Sequence, residues 1–98
     1  QQIQKKFPQG VYGDSALYLA GKTALENKFY GEALKNFNML IKKYPQGSKV
    51  LAAQFAKAQS YEKMNLKSVA IQSYIKIKAK YPGSPESFRA DTQLKLIR

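Results

Sequence analysis

The sequence predicts an all-α fold built from a repeated pair of antiparallel helices. Pro8, Pro45 and Pro82 are spaced 37 residues apart, and each follows an aromatic residue. Between these prolines the apolar residues recur at the three- and four-residue spacing of amphipathic helices, and no alternating strand pattern of useful length appears. A period of about 20 to 50 residues is typical of helical solenoids. We therefore expect about two and a half copies of one helix-turn-helix unit.

Alignment of residues 7–43 with residues 44–80 matches more than the prolines. Small residues fall on small residues, and aromatic residues fall on aromatic residues. The matched pairs are Ala16 with Ala53, Gly21 with Ala58, Ala33 with Ala70, Phe37 with Tyr74, and Tyr18 with Phe55.

The first unit contains two predicted helices, at about 14–27 and 30–44. The turn between them is predicted at Glu26-Asn27-Lys28, which has no core pattern, and Pro45 ends the second helix because the residue before a proline is forced out of the α region. The apolar stripes are Leu17, Ala20, Gly21, Ala24 and Leu25, then Ala33, Leu34, Phe37, Leu40 and Ile41.

The second unit repeats this organisation, with helices predicted at about 48–64 and 67–81 and a turn near Asn65. A final helix is predicted at 85–97. Ser84 is its candidate N-cap and Pro85 suits its first turn, while Asp14-Ser15 and Ser48 are candidate N-caps of earlier helices. The apolar stripes of the second unit are Leu51, Phe55, Ala58 and Tyr61, then Ala70, Ile71, Tyr74, Ile75 and Ile77.

These elements predict one domain over residues 14–98. It would comprise a first repeat at 14–47, a second at 51–84 and the final helix at 85–97. Residues 1–13 would form the end of a preceding element or a linker. The longest apolar run has five residues, Ala16 to Ala20, which is far too short to span a bilayer.

Composition argues against the common kinds of catalytic site. The 98 residues include no Cys and no His, so thiolate nucleophiles, imidazole bases and the usual zinc and iron–sulfur ligand sets are excluded. We expect no cofactor.

The net charge is +11, but Arg, which suits bidentate phosphate contacts, occurs only at Arg89 and Arg98. Specific nucleic-acid binding is therefore not predicted, and nonspecific binding to nucleic acid or anionic lipid rests on charge alone.

The two units resemble the tetratricopeptide repeat (TPR), in which small residues let two helices cross closely and an aromatic fills the adjacent gap. The period is longer than is usual for that family, and the family's Trp is absent. The resemblance implies a right-handed superhelical array of antiparallel helix pairs. The matching slots hold Gly21, Ala33, Phe37 and Pro45 in the first unit, and Ala58, Ala70, Tyr74 and Pro82 in the second.

The junctions Tyr44-Pro45-Gln46-Gly47-Ser48 and Tyr81-Pro82-Gly83-Ser84 are similar to those of bacterial cell-envelope repeat proteins. The chain resembles the C-terminal domain of the YbgF-type (CpoB) family of the Tol–Pal system, with the BamD lipoproteins as relatives. This resemblance implies a periplasmic scaffold that binds envelope proteins. In the YbgF-type family an N-terminal coiled coil precedes the repeats, and Gln1–Lys6 could instead end a helix of a preceding repeat.

By the TPR pattern, the first helix of each unit lines a concave groove, which suits an extended peptide or a helix. The second helices form the convex outside, and Lys35, Lys42, Lys43, Lys76, Lys78 and Lys80 belong to them. Tyr18 and Phe55 could contact a partner or pack in the core. The expected groove positions are Ser15, Tyr18, Lys22, Leu25 and Glu26, then Ala52, Phe55, Gln59, Glu62 and Lys63, then Arg89 and Thr92.

The leading functional hypothesis is a non-enzymatic protein–protein interaction module in the bacterial envelope. Its partner would be a protein or peptide held in the concave groove. The alternative is a structural domain that associates with itself or with a larger envelope or motor complex through an exposed repeat end. That end would carry Phe88, Leu94, Leu96 and Ile97 of the final helix.

Overall fold

The computed structural model describes residues 13–97 as five α-helices without a strand in that part of the chain. The all-α array of antiparallel helix pairs is thereby confirmed, and each helix boundary lies within two residues of its predicted position. Residues 1–12 and Arg98 lie outside the described residues, as does nearly all of the predicted preceding element or linker. The helices are α1 (Gly13–Glu26), α2 (Tyr30–Lys43), α3 (Val50–Lys63), α4 (Lys67–Lys80) and α5 (Pro85–Ile97).

Each helix packs against the next one along the chain, which gives a TPR-like array. α3 also contacts α1 on one side and α5 on the other, while α2 and α4 do not contact each other within the described residues. The first helices of the units therefore form one layer and the second helices the other. The resulting slab measures 46 × 28 × 16 Å.

Both helix–helix turns use the same backbone geometry. Lys28 and Asn65, which are one period apart, have positive φ angles of 67° and 66°. The Lys28 N–H donates to Leu25 O at 3.0 Å, and the Phe29 N–H donates to Ala24 O at 2.8 Å, with matching bonds around Asn65. This pair of bonds is the Schellman motif, which satisfies the last carbonyls of a helix. It reverses the chain in three residues, so the two helices of each pair lie antiparallel.

A small residue on the first helix and a large ring on the second hold each helix pair together. Phe37 is fully buried, and a Cβ added at Gly21 would come within 2.5 Å of the Phe37 ring. In the second pair the equivalent residues are Ala58 and Tyr74, and both are fully buried. A small residue on the first helix therefore faces a buried ring on the second in both pairs, as the sequence alignment predicted.

An aromatic residue of the first helix packs on that ring in both pairs. The ring centroids of Tyr18 and Phe37 are 6.1 Å apart, and those of Phe55 and Tyr74 are 5.6 Å apart, with both pairs tilted. Tilted pairs at such distances add about 0.5–1.5 kcal/mol to the free energy of area burial. The two ring pairs lie one repeat period apart, so they are a repeated part of the core. Tyr18 and Phe55 form the side of each pair that is nearer the surface.

The N-cap predictions have mixed outcomes. Ser84 caps α5, since its hydroxyl oxygen accepts the Ser87 N–H at 3.0 Å. The prediction for Ser48 was wrong, because the Pro-Gln-Gly-Ser junction continues as turns and α3 begins at Val50. The prediction for Asp14-Ser15 was also wrong, because the chain is already helical at Gly13.

We expect Gly21→Ala to destabilise the fold although alanine is the better helix former. Overpacking against Phe37 costs about 1–3 kcal/mol, which outweighs the gain of about 1 kcal/mol in helix propensity. Thermal unfolding followed by circular dichroism should show a lower Tm for the variant.

Gly31→Ala is the matched control, because Gly31 also lies in a helix but an added Cβ there meets no atom within 4 Å. Its free energy of unfolding should stay the same or rise by up to about 1 kcal/mol. Equal effects of the two substitutions would contradict the close crossing at Gly21.

Candidate partner-binding groove

An open groove of about 390 Å³ lies between α3 and α5. We call it the α3–α5 groove. It brings together six of the twelve groove positions expected from the sequence, and Gln93 in addition. The lining residues are Phe55, Gln59, Glu62, Lys63, Arg89, Thr92 and Gln93.

An aromatic ring covered by a guanidinium lies in this groove. Phe55 is only 4% exposed, and the Arg89 guanidinium carbon lies 4.5 Å from its ring centroid. A cation over a ring face is attracted by the ring quadrupole, and guanidinium groups stack readily on aromatic faces. Arg89 itself is exposed, so it presents its remaining donors to the open groove.

The carboxylate of Glu62 is held by two neighbours. The Tyr74 hydroxyl donates to Glu62 Oε1 at 2.8 Å, and Gln93 Nε2 lies 3.1 Å from Oε1 and 3.2 Å from Oε2. These bonds connect α3, α4 and α5 at one point. Hydrogen bonds to an ionised group are roughly twice as strong as neutral ones. Glu62 is therefore a fixed acceptor in the groove wall.

The hydroxyl of Tyr74 has an altered acidity. Burial raises the pKa of Tyr74 well above its ordinary value of 10.0, and the hydrogen bond to Glu62 and the charge of that carboxylate raise it further. The hydroxyl consequently stays protonated as a donor throughout the physiological pH range.

The cationic groups of the groove are Lys63 and Arg89. Because the Glu62 carboxylate is occupied by its donors, these two side chains are the charged groups that face a ligand there.

The equivalent positions of the first repeat are arranged differently. Lys49 Nζ lies 5.6 Å from the centroid of the Tyr18 ring, so a cation again covers the aromatic residue of a first helix. Leu25, the counterpart of Glu62, is only 6% exposed and belongs to the core, so its side chain does not line an accessible groove. Ser15 is exposed, and Lys22 and Ala52 are half-buried.

Two residues of the site were not predicted as parts of it. Gln93 and the Tyr74 hydroxyl complete the Glu62 network, and Tyr74 was expected only to pack in the core. The alignment of the repeats contains a signal that could have found the Tyr74 hydroxyl. Where the first repeat has Leu25 and Phe37, the second has Glu62 and Tyr74, so a carboxylate and a hydroxyl occur together only in the second repeat.

Comparison with known proteins identifies the family. Residues 4–95 match the family model YfiO, described as an outer membrane lipoprotein. The chain belongs to the YfiO family. This family is TPR-like and includes the BamD relatives suggested by the junction phrases, so a TPR-like protein of the cell envelope is confirmed.

No curated protein matches the chain. None of the helices described within residues 13–97 is long and apolar enough to cross a membrane. Membership of the YfiO family therefore provides the envelope assignment, and the α3–α5 groove provides the chemistry of the candidate site.

We expect Tyr74→Phe to change how stability depends on pH. The folded-state pKa of Tyr74 exceeds its unfolded value, so its contribution is complete below about pH 10 and is lost as the pH rises toward the folded pKa. Between about pH 10 and 11.5 the free energy of unfolding should therefore fall more steeply for the wild type than for the variant, by up to about 1.4 kcal/mol per pH unit.

Urea unfolding at several pH values measures this difference. At neutral pH the variant should be less stable by about 1–2 kcal/mol, because it loses a hydrogen bond to Glu62. Parallel pH profiles for the two proteins would contradict the Tyr74–Glu62 bond.

Proposed function

We propose that this domain is a non-enzymatic protein-interaction module of the bacterial envelope, and that it binds an extended segment or a helix of a partner protein in the α3–α5 groove. The observation that carries the proposal is the open groove itself, with the Phe55–Arg89 stack on one side and the fixed Glu62 carboxylate on the other. Neighbouring repeats supply this groove from two first helices, as helical solenoids commonly do.

The groove's side chains suit a peptide better than a small substrate. Gln59, Thr92 and Gln93 offer amide and hydroxyl groups that can pair with a peptide backbone, while Arg89 and Lys63 favour an acidic side chain of the partner. Arg at a partly desolvated aromatic site is typical of residues that dominate interface energetics. The partner segment would therefore carry an acidic residue near its centre.

We further propose that the domain acts on the periplasmic side of the envelope, as an adaptor of the Tol–Pal type. It is supported by the Tyr-Pro junction phrases and by membership of a family of outer membrane lipoproteins. An adaptor needs a binding surface rather than a catalytic pocket, which agrees with a chain that contains no His and no Cys.

Site-specific photo-cross-linking tests the groove. A photoreactive amino acid at Gln59, inside the groove, should capture a defined envelope protein in cells that express the full-length protein. Adding Arg89→Gln should reduce this capture at least about tenfold, because a hydrogen bond to a charged group contributes about 1.5–3 kcal/mol.

A photoreactive residue at Asn38 is the matched control, because Asn38 is exposed on α2, away from the groove. It should capture none of the same partner. Capture of that partner from Asn38 at the same yield, or capture at Gln59 that is insensitive to Arg89→Gln, would contradict the proposed function.

Self-association through the last helix is the second candidate function, and a specific observation favours it. Phe88 is 67% exposed and Leu96 is 72% exposed, and both lie on α5. Leu94 was expected to lie on the same surface, but it is only 4% exposed and belongs to the core. Ile97, also expected there, is half-buried and packs against the core, so the exposed end surface consists of Phe88 and Leu96.

Sedimentation velocity distinguishes this candidate from groove binding. If α5 mediates assembly, the weight-average sedimentation coefficient should rise with concentration for the wild type and for Arg89→Gln, but not for Leu96→Glu. A coefficient that does not change with concentration for the wild type would rule out this candidate and leave groove binding unaffected.

A further inference from the structure

A second crevice, of about 460 Å³, runs between α3 and α4 and carries strongly positive charge. We call it the α3–α4 crevice. It shares no lining residue with the α3–α5 groove, because α3 contributes Gln54, Lys57 and Tyr61 here and a different face there. The facing side of α4 contributes Lys76 and Lys80. Three ammonium groups thus line one concave surface.

Nothing on the described chain neutralises these three lysines. No Asp or Glu of residues 13–97 lines the crevice. The ion pairs of this part of the chain join Lys78 and Lys95 to Asp91, and they leave Lys57, Lys76 and Lys80 without a carboxylate.

One of the three charges, that of Lys57, is also partly withdrawn from water, whereas Lys76 and Lys80 are exposed. Lys57 is half-buried, and burial lowers its pKa, with the nearby Lys76 charge lowering it further. Like charges crowded in a partly desolvated site repel each other, and an anion bound between them would relieve that repulsion.

Comparison of the two repeats shows that the fold does not need this charge. At the positions of Lys57 and Lys76 the first repeat has Ala20 and Met39, and at the position of Val69 it has Glu32. The first helix pair packs around the same crossing without a lysine at these two positions, whereas the counterpart of Lys80 is also a lysine, Lys43. The cluster of three lysines is therefore particular to the second repeat.

We propose that the α3–α4 crevice binds a phosphate group, either as a free phosphate ester or as the headgroup of an anionic phospholipid. The side-chain amides of Gln54 and Gln72 line the crevice beside the three ammonium groups and add hydrogen-bond donors. A phosphate monoester dianion carries more charge and more acceptor oxygens than a carboxylate, and an anionic vesicle surface presents many singly charged phosphodiesters side by side. Lysine binds phosphate as a point charge, and the three lysines of the crevice supply that charge without arginine.

Titration with inorganic phosphate, followed by ¹H–¹⁵N NMR at constant ionic strength, tests the proposal. Saturable shifts should centre on the amides of α3 and α4 that line the crevice. The double variant Lys57→Gln/Lys76→Gln should weaken binding at least about tenfold, because two charge-assisted contacts are lost.

The matched control is Lys42→Gln/Lys43→Gln, which removes the same charge from exposed positions on α2. It should change the affinity for phosphate less than about twofold, because the salt in the buffer screens the nonspecific attraction between phosphate and the net charge of the protein. Equal losses in the two double variants, or the absence of saturable shifts at the crevice, would overturn the proposal.

Co-sedimentation with vesicles identifies the source of the phosphate. The wild type is compared on neutral phosphatidylcholine vesicles and on vesicles that also contain phosphatidylglycerol. Binding to the second kind that depends on Lys57 and Lys76 assigns the site to a lipid headgroup. Phosphate binding in the NMR titration without vesicle binding assigns it to a soluble phosphate ester.

Discussion

Two helices of one repeat can cross closely only where a small residue faces a large ring, and this constraint organises the whole structure. Gly21 leaves room for Phe37, and Ala58 leaves room for Tyr74. The close crossing sets the tilt of each pair and lets the aromatic residue of the first helix pack on the same ring. Since α3 is held between α2 and α4, its other side is free to face α5 and form the groove.

The sequence predicted the helices and the crossing because these depend on local spacing and residue size. Side-chain directions at the helix surface were harder to predict. Leu25 was expected in the groove, but its side chain turns into the core, while Glu62 one period later stays half-buried in the groove. That difference depends on the Tyr74 hydroxyl and on Gln93, which approach from other helices. The N-cap at Ser48 failed for a related reason, because the junction continues as turns to Lys49.

The second repeat carries the features that suit ligands, although both repeats share one core. Leu25 and Phe37 give way to Glu62 and Tyr74 on the groove side, and Ala20 and Met39 give way to Lys57 and Lys76 on the opposite side. Tyr74 keeps the buried packing role of Phe37 and adds a hydroxyl, whereas Glu62 places a half-buried carboxylate in the groove where the first repeat has a core leucine. Lys57 and Lys76 add charge at positions where Ala20 and Met39 are exposed in the first repeat. α3 therefore separates two surfaces of different chemistry, a mixed groove toward α5 and a cationic crevice toward α4. Three of the lysines that give the chain its net charge of +11 line that crevice.

The central claim is that a partner segment of the envelope occupies the α3–α5 groove. The most direct measurement is a ¹H–¹⁵N chemical-shift map of the isotopically labelled protein with the bound partner segment, analysed residue by residue. We expect the largest shifts at the backbone amides of Gln59, Glu62 and Arg89, a shift of the Gln93 side-chain amide, and little change on α2. Largest shifts on α2 and on the outer face of α4, with the groove amides unmoved, would contradict it.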